Sequence, residues 1–129
     1  MTQPIVFISH SAIKDGMIEG FRAFITRGAP MLEADKPGTV AFLAYLDEDG
    51  AEASIVHVFP HADAMKAHLE GVQERSTEAD AFIETTSYEI YGSPDDAVLR
   101  MMRAFADGSG VPLQVRPDHV GGYLHHRSA

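Results

Sequence analysis

The chain has 129 residues, of which 45% are hydrophobic and 22% charged, the size and composition of one globular domain. Its formal net charge of −9 argues against a nucleic-acid partner, because phosphate binding needs clustered Lys and Arg. The absence of cysteine excludes disulfides, a thiol nucleophile and thiolate metal ligands. No apolar run approaches the ~18–20 residues that span a bilayer, and the Met1–Pro4 start has no basic signal region, so we expect a cytoplasmic protein without membrane contact.

The negative charge is concentrated in the middle of the chain. Residues 47–96 contain thirteen acidic and two basic side chains, whereas the segments on either side are close to neutral. Such a cluster is either a functional face that attracts cations or a solvated surface that aids solubility. The second is the more frequent arrangement in proteins.

The first third of the chain predicts a strand followed by a helix. The strand runs from Ile5 to about Ser11, and Asp15 offers a helix N-cap. The apolar residues that follow have helical spacing: Met17, Phe21, Phe24, Ile25 and Leu32. We expect Gly28 and Pro30 to weaken or kink this helix, and the segment 36–38 to end it.

The middle of the chain predicts a hairpin and a second helix. Strands are expected over 39–46 and 53–59, joined by the Asp-Gly turn signal of residues 47–50. Pro60 ends the second of these strands. The helix that follows carries its apolar residues on one face: Ala62, Met65, Leu69 and Val72.

The last third predicts a strand, a helix and two short extended pieces. The strand covers 81–91, and Ser93 with Pro94 looks like the N-cap and first position of a helix that ends at 108–110. The extended pieces cover 112–116 and 119–124.

This order of elements predicts one α+β domain of ferredoxin-like, split βαβ type over residues 1–129. Its core, residues 4–91, would be a four-stranded antiparallel sheet with both main helices on one face. Residues 94–124 would add a C-terminal helix and short strands.

The two hairpin strands are apolar on both faces, whereas an antiparallel sheet with one wet face alternates between apolar and polar residues. Phe42 and His57 fall on one side with apolar neighbours, and Leu43 and Val56 fall on the other. Helices cover one face, so the other needs a cover as well. A second copy of the chain is one solution and predicts a homodimer. The alternative is that the 94–124 extension folds back over this face.

Several short segments resemble proteins of the antibiotic biosynthesis monooxygenase type, which are dimeric α/β barrels. These segments are Lys36-Pro37-Gly38-Thr39, Tyr45-Leu46-Asp47-Glu48-Asp49-Gly50, His57-Val58-Phe59 leading into Ala62-Asp63-Ala64-Met65 and His68-Leu69, Gly110-Val111-Pro112-Leu113, and Gly121-Gly122-Tyr123. The resemblance covers roughly residues 4–124. It lies in turns and helix starts rather than in catalytic groups.

The resemblance implies a homodimer whose two sheets face each other, with a cavity between sheet and helices in each subunit. Some members of this family oxidise polycyclic phenols with O2 and no bound cofactor, others act on quinols, and others degrade haem. The haem-degrading members usually carry a tryptophan, and this chain has none. We therefore expect no cofactor and a small aromatic ligand.

Cofactor-free oxygenation needs an apolar pocket for a flat ring, a base for a phenolic proton and a hydrogen-bond donor. Histidine suits the first role at neutral pH, and the candidate catalytic residues are His57 on a strand and His68 at the rim of the second helix. The alternative is that His57 is a strand histidine satisfied by a neighbour and that His68 is a boundary residue. The candidate substrate-binding residues are Tyr45, Tyr88, His10 and Phe59.

We predict no metal site. His61 and His68 lie on the same predicted helix, but a rise of 1.5 Å per residue separates them by about 10 Å along its axis. Three functions remain open: a cofactor-free monooxygenase acting on a small aromatic or quinol, a non-catalytic ligand-binding or structural homodimer, and haem binding through His68.

Overall fold

The computed structural model describes residues 3–125 of the chain, so the outermost residues of the predicted 1–129 domain lie outside the described part. The elements follow in this order: β1 (Ile5–Ile13), α1 (Ile18–Asp35), β2 (Ala41–Leu46), β3 (Glu52–Phe59), α2 (Ala62–Leu69), α3 (Val72–Ala79), β4 (Ile83–Tyr91), α4 (Asp96–Ser109) and β5 (Leu113–Arg116).

The strands form one five-stranded sheet in the order β2-β3-β1-β4-β5. The first four strands pair antiparallel, as the split βαβ pattern predicts. The α+β, ferredoxin-like fold class is thereby confirmed. The first extended piece of the C-terminal segment becomes β5, which pairs parallel with β4 and makes the sheet mixed. The second piece, residues 119–124, is not a strand.

Two helix starts differ from the sequence prediction, and only that of α4 has a side-chain cap. The N-cap of α4 is Asp95, whose carboxylate accepts the Ala97 N–H at 2.7 Å. Ser93 instead donates to the Pro117 carbonyl at 3.0 Å. The first helix begins at Ile18 after Met17, not at Asp15.

The predicted weak point in α1 does not interrupt it. The helix runs through Pro30 and continues to Asp35. A break occurs instead in the second helical segment, which the sequence predicted as continuous. Gly71, at φ +79°, separates α2 from α3 because this left-handed conformation suits glycine.

One face of the sheet, the inner face, is covered by helices. Two apolar clusters fill this layer. The larger one joins β1, β3 and β4 to α2 and α4 through Ile5, Phe7, Phe59, Ala64, Met65, Leu69, Ile90, Val98 and Met102. The smaller one consists of Phe21 of α1 with Ala53 and Ile83. Because α4 packs into the larger cluster, the C-terminal extension adds to the inner layer.

The outer face of the sheet carries the side chains that alternate with the inner ones. It is defined by Val6, Ile8, His10, Leu43, Tyr45, Ser54, Val56, Val58, Ser87, Glu89 and Tyr91. All of these residues are half-buried or exposed, and Leu43 and Tyr45 are 45% and 58% exposed. The extension does not fold over this face, which contradicts the alternative to a partner. In residues 3–125, no helix has the length and apolar character needed to cross a membrane.

Candidate functional site

A cavity of about 650 Å³ lies between the inner face of the sheet and the helices. Its walls come from β1, β2, β3 and β4 on the sheet side and from α1, α2, α3 and α4 on the helix side. This volume is in the range of small-molecule sites in proteins. Most of the lining is apolar, and the polar groups fall into separate places along the cavity.

His57 lies on β3 at the cavity wall and is 8% exposed. Its Nδ1–H donates to the carbonyl oxygen of Phe7 on the neighbouring strand at 3.2 Å, and the two rings stack at 5.0 Å. A neutral imidazole that donates from Nδ1 presents Nε2 as an acceptor. Within residues 3–125, every polar side-chain atom that is fully enclosed by protein has a hydrogen-bond partner. The Nε2 atom of His57 has no partner in that range, so it is not enclosed and opens on the cavity.

His68 is presented by the last turn of α2 and is 2% exposed. Its Nδ1 shares a hydrogen bond of 2.7 Å with the hydroxyl of Thr39, which precedes β2. The His68 ring stands edge-on to His57, with ring centres 5.0 Å apart. The fold therefore brings both predicted catalytic residues into one cavity.

Both imidazoles are held neutral. Burial, which disfavours the charged form, lowers the pKa of His57 to about 4 despite the bond to Phe7. Burial also lowers the pKa of His68 to about 3, with further contributions from His57, Arg75 and Lys36. At neutral pH the cavity therefore contains two uncharged imidazoles.

Two cations hold the C-terminal end of α2. Arg75 of α3 reaches back to donate to the carbonyl oxygens of His68 and Glu70 at 2.6 and 3.0 Å. Lys36 donates to the carbonyl oxygen of Ala67 at 2.8 Å. The Ala67 carbonyl also accepts the N–H of the C-cap residue Glu70 at 3.3 Å. The last carbonyls of a helix need partners from outside its regular bonding pattern, and positive charge is favoured at this end. The contacts fix the turn that presents His68.

The rim of the cavity is acidic. Five exposed carboxylates line it: Asp35, Glu70, Glu74, Glu78 and Asp80. Four of them belong to the acidic middle segment of the chain. Part of the negative charge seen in the sequence is thus placed at the cavity mouth.

The predicted substrate-binding residues divide among three locations. Tyr88 lines the cavity. Phe59 is fully buried in the core and packs edge-on against His68, with ring centres 5.4 Å apart. It therefore contacts a cavity residue without lining the cavity itself. Tyr45 and His10 lie on the outer face and take no part in this cavity.

His10 belongs to a hydrogen-bonded row across the outer face. Its Nε2–H donates to the carboxylate of Glu89 at 2.6 Å, and its Nδ1 accepts from Ser54 at 2.8 Å. Tyr91 donates to the second oxygen of Glu89 at 2.8 Å. The hydrogen bonds from His10 and Tyr91 lower the pKa of Glu89.

Sequence reasoning missed several polar residues of the cavity wall: Ser9, Ser11, Thr85 and Arg75. Alternate residues of a strand face the same side, so Ser9 and Ser11 could have been identified from the inward-facing Phe7. Thr85 could not be found this way, because a β-bulge in β4 changes the alternation next to it.

No group of three or more His, Asp or Glu suited to a metal ion occurs within residues 3–125. His61, the other histidine of the predicted helix, is the N-cap of α2 and accepts the Ala64 N–H at 3.1 Å. Its side chain thus caps the N-terminus of α2.

Neither the protein-family models nor the curated proteins compared with this chain give a match. Solved structures do. The structure of MupZ from Pseudomonas fluorescens is similar with a TM-score of 0.73 at 16% identity, covering 96% of this chain and 91% of that one. SnoaB, a cofactor-independent oxygenase from Streptomyces nogalater, has a TM-score of 0.59 at 18% identity, covering 72% of this chain and 95% of that one.

A third similar structure, assigned to the antibiotic biosynthesis monooxygenases, comes from Deinococcus radiodurans. It has a TM-score of 0.58 at 14% identity and covers 70% of this chain and 93% of that one. The MupZ match extends over nearly the whole chain, whereas the other two cover about 70% of it. The chain has the fold of the antibiotic biosynthesis monooxygenase-like proteins.

Proposed function

We propose that the protein is a cofactor-independent monooxygenase that acts on a small phenol or quinol in the cavity of each subunit. The proposal depends above all on one observation: the Nδ1–H of His57 is committed to Phe7, so Nε2 faces the cavity as a proton acceptor. The fold shared with SnoaB, a cofactor-independent oxygenase, supports the same reaction class.

The reaction needs no reductant other than the substrate. The phenolic O–H proton passes to Nε2 of His57, and the phenolate gives one electron to O2. The superoxide adds to the para carbon of the ring radical, and the hydroperoxide loses water to leave a quinone. One atom of O2 becomes the new carbonyl oxygen and the other leaves in water with the two substrate hydrogens.

A base of low pKa is compatible with this step because the substrate changes its surroundings. A phenolate beside His57 favours the imidazolium, since opposite charges in a dry site stabilise each other. The guanidinium of Arg75 lies close enough to influence the pKa of both histidines and has the sign that stabilises the phenolate. His68 stands edge-on to His57 and offers a second polar contact to the same oxygen.

The test is oxygen uptake with 1-naphthol, corrected for the reaction without protein, together with detection of 1,4-naphthoquinone. Heavy-isotope O2 should label the new carbonyl. We expect His57→Gln to lower the rate by about 100-fold or more, the usual contribution of a general base. His125→Gln, a substitution at an exposed histidine outside the cavity, is the matched control and should retain the rate.

Uptake that survives both His57→Gln and His68→Gln in folded protein would refute the assignment of the base. A second function, ligand binding without catalysis, is favoured by the pKa values of about 4 and 3, because such imidazoles are weak bases in the empty cavity. Saturable binding of 1-naphthol with no uptake above background would select this function.

We also propose that two copies of the chain pair through their outer faces. This face presents half-buried Val6, Ile8, Val56 and Val58 beside exposed Leu43. An apolar sheet face of this kind is typical of an interface. Pairing of identical faces about a two-fold axis would bury both at once.

A further inference from the structure

The cavity has a second polar region that the oxygenation step does not use. Ser11 of β1 and Thr85 of β4 line the cavity beyond the histidines; these two residues form the hydroxyl end. Ser11 is 3% exposed, and no hydrogen bond to its hydroxyl occurs within residues 3–125. Polar side-chain atoms that are fully enclosed in that range all have a partner. The Ser11 hydroxyl has none, so it is not fully enclosed and opens into the cavity.

The sheet register sets the distance between this end and the histidines. His57 is paired with Phe7, and Ala53 with Ser11, so four residues separate the two rows on each strand. At about 3.3 Å per residue the rows lie about 13 Å apart. Ser9 lies midway, in the row of Ile55 and Tyr88.

The β-bulge brings a second hydroxyl, that of Thr85, next to Ser11. His10 pairs with Ser87 but Ser11 pairs with Thr85, so Thr86 is an extra residue in β4. Thr85 and Tyr88 are three residues apart, yet both line the cavity. A regular strand would have turned one of them to the outer face.

We propose that the hydroxyl end binds an oxygen at the far end of the ligand, so that the preferred substrate is an elongated, flat aromatic molecule with an oxygen group at each end. One oxygen lies at His57 and the other at Ser11 and Thr85. The wall between them, which includes Ile55 and Tyr88 in the row of Ser9, contacts the fused rings. This inference rests on the proposed function in placing the reacting phenol at His57.

The far group is a neutral hydroxyl or carbonyl. Serine and threonine hydroxyls both donate and accept, so they bind either group. No basic side chain is among the residues that line this end of the cavity, whereas Asp80 and Glu78 line it nearby. A carboxylate or phosphate at this end would therefore lie close to negative charge. The ammonium group of Lys14, which donates to the carbonyl oxygen of Asp80, does not line the cavity.

The test compares two dyes of equal ring length by absorption titration under anaerobic conditions. 2,6-Dihydroxyanthraquinone carries a hydroxyl at both ends, and 2-hydroxyanthraquinone carries only one. We expect Ser11→Ala to weaken binding of the first dye by about three- to tenfold, the range of one neutral hydrogen bond. Binding of the second dye should change less than twofold.

Thr85→Val keeps the side-chain volume while removing the hydroxyl and should act in the same direction. Ser87→Ala is the matched control, because Ser87 is a strand serine on the outer face, and it should affect neither dye. Thermal melting of each variant checks that the fold is retained. Equal losses for both dyes, no loss for either, or no binding of the two-ended dye to the unaltered protein would overturn the proposal.

The two proposals fail in different ways. A preserved difference between the dyes with no oxygen uptake would refute the oxygenase and leave the two-ended site standing. Uptake that depends on His57, with no difference between the dyes, would leave the oxygenase standing and refute the hydroxyl end.

Discussion

Two buried histidines make the stability of the molecule depend on pH. An unfolded histidine has a pKa of about 6.5, whereas His57 and His68 fall to about 4 and 3 in the folded protein. At a pH between the unfolded and folded pKa values, the unfolded chain binds more protons than the folded protein. The free energy of unfolding therefore falls as the pH falls through this range. Their full contribution is present above about pH 6.5 and is lost progressively as the pH falls toward the folded values.

We expect each of these histidines to contribute about 2 kcal/mol to the loss of stability between pH 7 and pH 5, at about 1.4 kcal/mol per pKa unit. His57→Gln should therefore show a smaller loss than the unaltered protein in urea unfolding at the two pH values. His125→Gln should show the same loss as the unaltered protein. If His57→Gln also shows the full loss, His57 is not held neutral by the fold.

Gly92, which follows β4, is a position where only glycine fits. Its φ is +108°, and a Cβ there would lie 2.8 Å from the carbonyl oxygen of Pro4. Gly92→Ala should lower the free energy of unfolding by about 1–3 kcal/mol, because both the conformation and the contact are strained. Gly108→Ala is the control: it lies in α4 with no atom within 4 Å of the added Cβ. This second change should be neutral or stabilising by up to about 1 kcal/mol.

At the scale of elements, the end of α2 depends on a residue from the next helix. Arg75 bonds two carbonyl oxygens there, and charged hydrogen bonds of this kind contribute about 1.5–3 kcal/mol. Arg75→Ala should lower the free energy of unfolding by roughly that amount. Arg103→Ala, at an exposed position on α4, should change it by less than about 0.5 kcal/mol.

Arg75→Ala should also loosen the turn that presents His68. The measurement is hydrogen exchange at the backbone amides of residues 65–70, which should speed up in Arg75→Ala and not in Arg103→Ala. Unchanged exchange with reduced stability would mean that Arg75 stabilises the fold without fixing the position of His68.

Periodicity predicted most elements because long, regular apolar patterns leave little choice. The four antiparallel strands, the first helix and the helix after β4 were all found from spacing and turn residues. The helix break at Gly71 was missed because the apolar spacing from Ala62 to Val72 is compatible with one continuous helix. Gly71 has a φ of +79°, a left-handed conformation that ends α2 and that apolar spacing does not report.

The candidate site could be predicted only in part, for a related reason. Strand alternation groups His57 with Ile55 and Phe59 on one face, but the sequence leaves open which face of the sheet the helices cover. Thr85 was missed because the bulge is a property of the pairing between β1 and β4 and leaves no periodic signal in either strand. His10 and Tyr45 were chosen by residue type, and alternation places them on the outer face.

At the scale of the whole molecule, the apolar outer face predicts a homodimer. We expect the protein to sediment as a dimer at micromolar concentration and Val56→Asp to produce monomers, because the change buries a charge at the centre of the proposed interface. Ala104→Asp, on the exposed side of α4, is the matched control and should remain dimeric. A monomeric unaltered protein over the whole concentration range would contradict pairing through this face.

The acidic rim of the cavity has a consequence for how quickly ligands enter. Five carboxylates and the guanidinium of Arg75 line the cavity, and Asp35 is paired with Lys36 at 3.7 Å. The excess of negative charge should repel anions and raise the local concentration of cations and protons. A phenol should therefore enter in its neutral form, and a sulfonated analogue should associate slowly. Added salt screens such charges over about 10 Å at 0.1 M, so it should speed association of the sulfonated analogue and leave the neutral phenol unaffected. On the proposed function, we expect the rim to favour entry of a phenol with its proton still attached.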